Sequence, residues 1–297
     1  MPGEFDLIEW IKSQHAPSEF VPVPQGDDLA VLKWNAADLL LVGIDQALDG
    51  IHFDSAIHSP RHIGAKAMNR NLSDCAAMAC LPAAAVVSVA LPNGAGIDYA
   101  KELYLGLREA ADAFDCTLVG GDTGSWAGKL AVTVSILGKS AGTQPITRSG
   151  AKPGDGIYVT GRLGGSILGR HMNFVPRITL ARELAGAGGI TAMLDISDGL
   201  SRDLRQICDQ SHVGAIIDAD AVPIHLDAIE LSRRDGQSPL DHALHDGEDH
   251  ELLFTVARTP TIQGMIRVGT IVCEPGVWIQ RADRRAELAP KGWQHTL

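Results

Sequence analysis

Seven aspartates hold most of the chemistry this sequence offers: Asp27, Asp28, Asp45, Asp74, Asp122, Asp195 and Asp198. They stand in five short blocks, Gly26-Asp27-Asp28, Ile44-Asp45, Asn71-Leu72-Ser73-Asp74, Gly120-Gly121-Asp122-Thr123 and Asp195-Ile196-Ser197-Asp198-Gly199. Apolar runs precede several of them, Leu39–Ile44 before Asp45 and Thr117–Val119 before Gly120. A strand ending in a carboxylate presents it at the rim of a sheet, so the five blocks are expected to converge there. Carboxylates gathered in one cleft repel each other and resist ionising unless cations hold them. An all-oxygen donor set calls for a hard cation, Mg2+ first, whose usual work is to carry phosphates.

Local readings compete with this one. Gly26-Asp27-Asp28 taken alone is an ordinary turn. Ser197 or Asp198 either caps the helix that follows or joins the site. Gly120 and Gly121 let backbone approach a ligand closely just before a carboxylate. His52 follows Asp45-x-x-x-Asp49-Gly50-Ile51 and reads as a substrate contact. The pairs His58/His62 and His242/His245 have no third ligand at metal spacing and read as solvated faces. Gly138-Lys139-Ser140 is a loop, because Thr133 stands where a phosphate loop needs glycine. Gly161–Ser166 lies between a strand and a helix, where free amides suit a phosphate. There is no serine-triad signature and no nucleophilic cysteine context.

The elements that must position these groups alternate. Residues 4–14 and 61–79 read as helices, the second carrying Lys66, Asn69, Asn71 and Asp74. Strands are expected at 29–33, 39–44, 85–91, 116–119 and 130–137, with a helix at 98–114. The polar, Gly/Pro-rich segment 140–156 marks a junction. Beyond it come strands at 156–160, 191–195, 213–218 and 251–256, and helices at 164–171, 177–187 and 199–210. The pattern is that of a two-domain α/β (α+β) protein, divided into 1–142 and 143–297.

At 297 residues the chain has room for two cores. A formal net charge of −11 disfavours sequence-independent binding of nucleic acid. No apolar run is long enough to span a membrane, and the acidic N-terminus lacks a secretory segment. Five scattered cysteines form no CxxC and suit free thiols in the cytoplasm.

The blocks, in this order, resemble the thiamine-monophosphate kinase family, within the superfamily that includes aminoimidazole ribonucleotide synthetase. The resemblance runs from Gly3-Glu4-Phe5 through Gly26–Asp28, Asp45, Gly50–Phe53, Lys66–Asp74, Gly120–Thr123, Thr147–Asp155 and Asp195–Leu200 to Gly247–Thr255. It implies ATP-dependent phosphorylation of thiamine monophosphate to thiamine diphosphate. It also implies an aminoimidazole ribonucleotide synthetase-like fold, whose N-terminal sheet dimerises into a barrel beside a C-terminal α+β domain. By motif position Asp28, Asp45, Asp74, Asp122, Asp195 and Asp198 would hold Mg2+, with Asp27 beside them. Gly121, Asp122, Arg148 and Ser197 would contact ATP, and His52, Glu248 and Trp293 the thiamine substrate. The tail position of Trp293 equally suits an aromatic packed on the core. No general base is expected, because a monophosphate whose second pKa is about 6 is already largely ionised.

Departures from the family pattern are specific. Gly43 and Ile44 replace a Ser-Thr pair that contributes to metal binding, and Ile44 offers only backbone oxygen. Asp246 replaces a glycine, His250 replaces a tyrosine, and the stretch from Gly165 to Arg177 is short. The alternatives are a Mg-nucleotide sensor or scaffold, a superfamily kinase with a different phosphorylated acceptor, and a metal-dependent phosphohydrolase.

Overall fold

A computed structural model describes residues 22–23, 27–35, 37–257 and 264–294. The expected helix at 4–14, Gly3–Phe5 and Gly26 lie outside the described residues. Strands β1 (Ala30–Lys33), β2 (Leu39–Leu48), β3 (Leu81–Pro92), β4 (Thr117–Trp126) and β5 (Ala131–Lys139) form one sheet in the order β1-β2-β5-β3-β4. Only the β3–β4 pairing in it is parallel. Helices α1 (Pro60–Ala77) and α2 (Ile97–Asp112) belong to this half.

The second sheet is built from β6 (Gly156–Val159), β7 (Ile190–Asp195), β8 (Gly214–Asp218), β9 (Leu252–Val256), β10 (Ile266–Val272), β11 (Gly276–Arg281) and β12 (Arg284–Glu287). Their order is β12-β11-β8-β10-β6-β9-β7, with α3 (Ile178–Ala187), α4 (Leu200–Ser211), α5 (Leu226–Asp235) and α6 (Pro239–His245) between them in sequence. Both sheets are open in the single chain.

Helix α1 is the element on which both halves converge. Ser59 caps it by accepting the His62 N–H, and Pro60 opens the first turn, where a missing N–H costs nothing. Its Ile63, Met68 and Leu72 share one apolar cluster with Val134 and Ile136 of the first sheet and with Met193 and Phe254 of the second. A helix buried on several sides loses the clean polar face of a surface helix. It crosses α2 closely: a Cβ at Gly64 would meet Leu103 O at 2.1 Å, and one at Gly106 would meet Arg61 O at 1.9 Å. Any side chain at either glycine would force the two helices apart.

Two expectations about the rim are corrected. Strand β2 does not end before Asp45 but runs on to Leu48, paired with β5 from Leu40↔Lys139 to Leu48↔Ala131. Gly120–Thr123 likewise lies inside β4, not beyond its end. In each case a neighbouring strand continues to pair the backbone, so the carboxylate is presented from within the strand and not beyond its end. The expected helix at 164–171 is two 3-10 turns, Ser166–Leu168 and Arg170–Met172, flanked by Gly165 at φ 74° and Gly169 at φ 133°. Helices α5 and α6 and strands β10 to β12 add to the expected elements.

Candidate active site

Asp28, Asp74 and Asp195 come together from the segment before β1, the last turn of α1 and the end of β7. One carboxylate oxygen from each lies within 4.8 Å of the others. Burial, then the neighbouring Asp195, Asp45 and Asp28, push the Asp74 carboxyl well above its ordinary value. Burial also raises Asp28, although Arg148 opposes it with Nη2 2.9 Å from Oδ1. At Asp195 burial is outweighed by His250, Ser73 and Arg148, and its carboxyl lies below the usual range. Ser73 Oγ donates to Asp195 Oδ2 at 2.5 Å, and His250 Nδ1 lies 3.2 Å from the same oxygen. The trio offers oxygen alone, and two of its carboxyls are pushed toward protonation. That is the state a bound hard divalent cation relieves, so the donor set fits such an ion.

The other aspartates are distributed differently. Asp27 accepts the Arg148 backbone N–H at 2.6 Å. On β2, Asp45 shares the inner face with Leu41 and Ala47, and its Oδ2 meets Arg70 Nε at 2.7 Å. Ile44 turns to the opposite face and is 68% exposed. Asp122 is not brought to the trio. It is exposed on the edge strand β4, in a groove with Val87, Tyr104 and Val119. Gly121 serves strand packing, since a Cβ there would meet Val87 O at 2.0 Å. Ser197 and Asp198 are not helix caps. Gly199 occupies that position in α4, and Asp203 reaches back to accept the Asp198 and Gly199 N–H groups at 3.0 and 3.1 Å.

Beside the trio lies a cavity of about 400 Å³ lined by His52, Arg70, Ser197, Asp198, Glu248, His250 and Trp293, among others. His250 joins the two, touching Asp195 through Nδ1 and lining the cavity. Its ring stacks on Phe174 with centroids 3.8 Å apart. The His52 Nδ1 accepts the Leu48 N–H at 3.0 Å, which leaves the ring proton on Nε2. Lys66, fully buried in α1, donates to the His52 carbonyl and to Glu248 Oε2, the latter at 2.8 Å. Burial pulls the Lys66 ammonium down to about 8, against the pull of Glu248. Burial likewise works against Glu248, but Lys66, His250 and Arg70 outweigh it and hold the carboxyl below its ordinary value. Trp293 is 45% exposed, and its backbone N–H donates to Asp198 O at 3.2 Å. It lines the cavity and is not a buried tail aromatic.

Sequence reasoning gave Arg70, Ser73 and Asp203 no roles of their own and named Lys66 only as part of α1. The available signal was spacing: Lys66, Arg70, Ser73 and Asp74 fall at i, i+4, i+7 and i+8, one face of a helix. A lysine within such a buried helix calls for a partner, and Glu248 supplies it.

The fold is that of AIR synthase related proteins. Residues 26–140 match the model of that family's N-terminal domain, and residues 168–256 match that of its C-terminal domain. Within that class, the chain belongs to the thiamine-monophosphate kinase family. It is 39% identical to the thiamine-monophosphate kinase of Rhodopirellula baltica, over 98% of this chain and 97% of the relative. It is 34% identical to that of Bacillus subtilis, over 86% and 83%. Among solved structures, AaThiL complexed with AMPPCP and TMP superposes with a TM-score of 0.85 at 28% identity, covering 99% of this chain and 97% of the other.

Proposed function

We infer that this protein transfers the terminal phosphoryl group of ATP to thiamine monophosphate, giving ADP and thiamine diphosphate. The observation that carries the reading is the acidic trio joined through His250 to a cavity lined by His52, Glu248 and Trp293. It is supported by the relatives' names and by the solved complex with AMPPCP and TMP. A phosphate oxygen of the acceptor attacks the terminal phosphorus, and the bond from that phosphorus to the ADP oxygen breaks. The attacking oxygen is already ionised, so no side chain need remove a proton.

Asp28, Asp74 and Asp195 would hold Mg2+, with Asp27, Asp45 and Asp198 nearby and Asp122 offered from β4. The ion would neutralise phosphate charge so that the two anions can align. The chain's own residues do the positioning. Lys66 holds Glu248 and the His52 carbonyl at fixed places, Trp293 offers a flat face to the cationic thiazolium, and Arg148 orders the Asp27–Asp28 turn. ATP contacts are assigned to Gly121, Asp122, Arg148 and Ser197.

A domain division at 142/143 is supported by the separation of the two sheets between Lys139 and Gly156. A homodimer formed through the five-stranded sheet is supported by the exposure of Ile44, Val86, Val119 and Trp126 on its strands. Closure into a barrel would be completed by the second copy. A monomer by light scattering at micromolar concentration removes that assembly. Among the described residues no helix is long and apolar enough to cross a membrane. Free thiols at all five cysteines suit the cytoplasm.

The test is ATP turnover with Mg2+, with and without thiamine monophosphate, and mass identification of products. Acceptor-dependent ADP and thiamine diphosphate are expected. Nucleotide binding without transfer supports the sensor reading, and free phosphate without acceptor supports hydrolysis.

A further inference from the structure

The cavity beside the acidic trio has an unbalanced charge. Asp45, Asp198, Asp246 and Glu248 line it, yet among the described residues that line it Arg70 is the only lysine or arginine. Lys66 does not help, because its ammonium is fully buried and engaged by Glu248 and the His52 carbonyl. A cavity so acidic suits a cationic ring and repels a phosphate everywhere except beside Arg70.

Arg70 also has hydrogen-bonding capacity left over. Its Nε contacts Asp45 Oδ2 at 2.7 Å without aligning as a hydrogen bond, and Nη1 stands 4.0 Å from Glu248 Oε1. Both nitrogens are buried with no hydrogen-bond partner, as are Glu248 Oε1 and His250 Nε2. His250 is only 3% exposed and lines the same cavity. Buried donors without partners are uncommon in folded proteins, and several in one cavity indicate the polar groups of a ligand. A planar guanidinium matches phosphate oxygens two at a time.

We infer that Arg70 is a substrate-specificity residue that grips the phosphate of the acceptor and makes the cavity select a phosphomonoester over the free alcohol. The inference rests on the kinase reading above. The phosphate then lies at the α1 end of the cavity, one helical turn from Asp74, with the cationic ring toward Trp293.

The test is calorimetric titration of the full-length protein with thiamine monophosphate and, separately, with thiamine. Wild type, Arg70→Gln and Arg70→Lys are compared, and turnover of wild type is measured in parallel. Wild type should prefer the monophosphate. Arg70→Gln should weaken the monophosphate at least about tenfold and leave thiamine unchanged, with Arg70→Lys between the two. Absence of a preference in wild type, equal weakening of both ligands, or no change in either overturns the inference. Should Arg70→Gln unfold, Arg70→Lys decides by itself, since loss of the fork must weaken the monophosphate selectively. A wild type that binds selectively through Arg70 yet forms no thiamine diphosphate overturns the kinase reading and leaves the phosphate contact standing.

Discussion

Lys66 Nζ and Glu248 Oε2 lie 2.8 Å apart across 182 residues of sequence, joining the interior of α1 to the loop before β9. Glu248 adopts a left-handed backbone conformation, φ 49°, that few non-glycine residues tolerate. The ion pair fixes a carboxylate that lines the cavity beside the acidic trio. Lys66→Met leaves Glu248 without its main counter-charge. The expected cost is about 3 kcal/mol, the lower end for breaking a buried pair because Glu248 keeps some solvent contact. Urea denaturation reads the loss, and a shift below about 1 kcal/mol contradicts this account.

Asp74→Asn should abolish phosphoryl transfer while the fold persists. Partners one step removed from a metal cost about 10- to 100-fold, so loss of a ligand should exceed roughly 100-fold. The variant should also melt higher than wild type without divalent cations, because a carboxyl strained by burial and by Asp195 is gone. Near-normal turnover would sink the metal-site assignment.

Removing divalent cations with a chelator should stop turnover and restoring Mg2+ should recover it. In wild type, Mg2+ should raise the melting temperature; in Asp74→Asn that shift should shrink. An equal shift in both proteins places the ion elsewhere.

Trp293→Ala removes a half-exposed aromatic face. We expect KM for thiamine monophosphate to rise about 2- to 30-fold, the range of one cation–π contact, with kcat and melting temperature little changed. An unchanged KM, or a large fall in melting temperature, would make Trp293 a packing residue.

Asp249 carries a pH dependence. Burial pushes its carboxyl up to about 7, against Arg170 and the Gly164 N–H. The folded value lies above the unfolded one, so the native state holds the proton more tightly. Its stabilising contribution is therefore full below about 4 and is lost as the pH rises through about 7. Asp249→Asn keeps an acceptor for Gly164 and removes the titration. Across pH 4 to 8 the stability of wild type should fall relative to this variant; parallel curves would contradict the assignment.

Residue type and local periodicity made much of this protein legible from its sequence alone. The alternation of Val132, Val134 and Ile136 specifies a one-sided strand, and the long run over 61–79 reads as a helix that the structure places at Pro60–Ala77. Such a pattern acts over a few residues, and the acidic blocks and ordered motifs that identify the family are equally local. Which carboxylates meet was decided by the tertiary structure. Asp28, Asp74 and Asp195 converge, Asp45 is diverted to Arg70, and Asp122 remains on the edge strand. Ser73 reaches Asp195 across 122 residues and Lys66 reaches Glu248 across 182. Such pairings depend on burial and on the packing of α1 between two sheets. Every aspartate has the same chemistry in the sequence; its neighbours, and so its charge and role, exist only once the chain has folded.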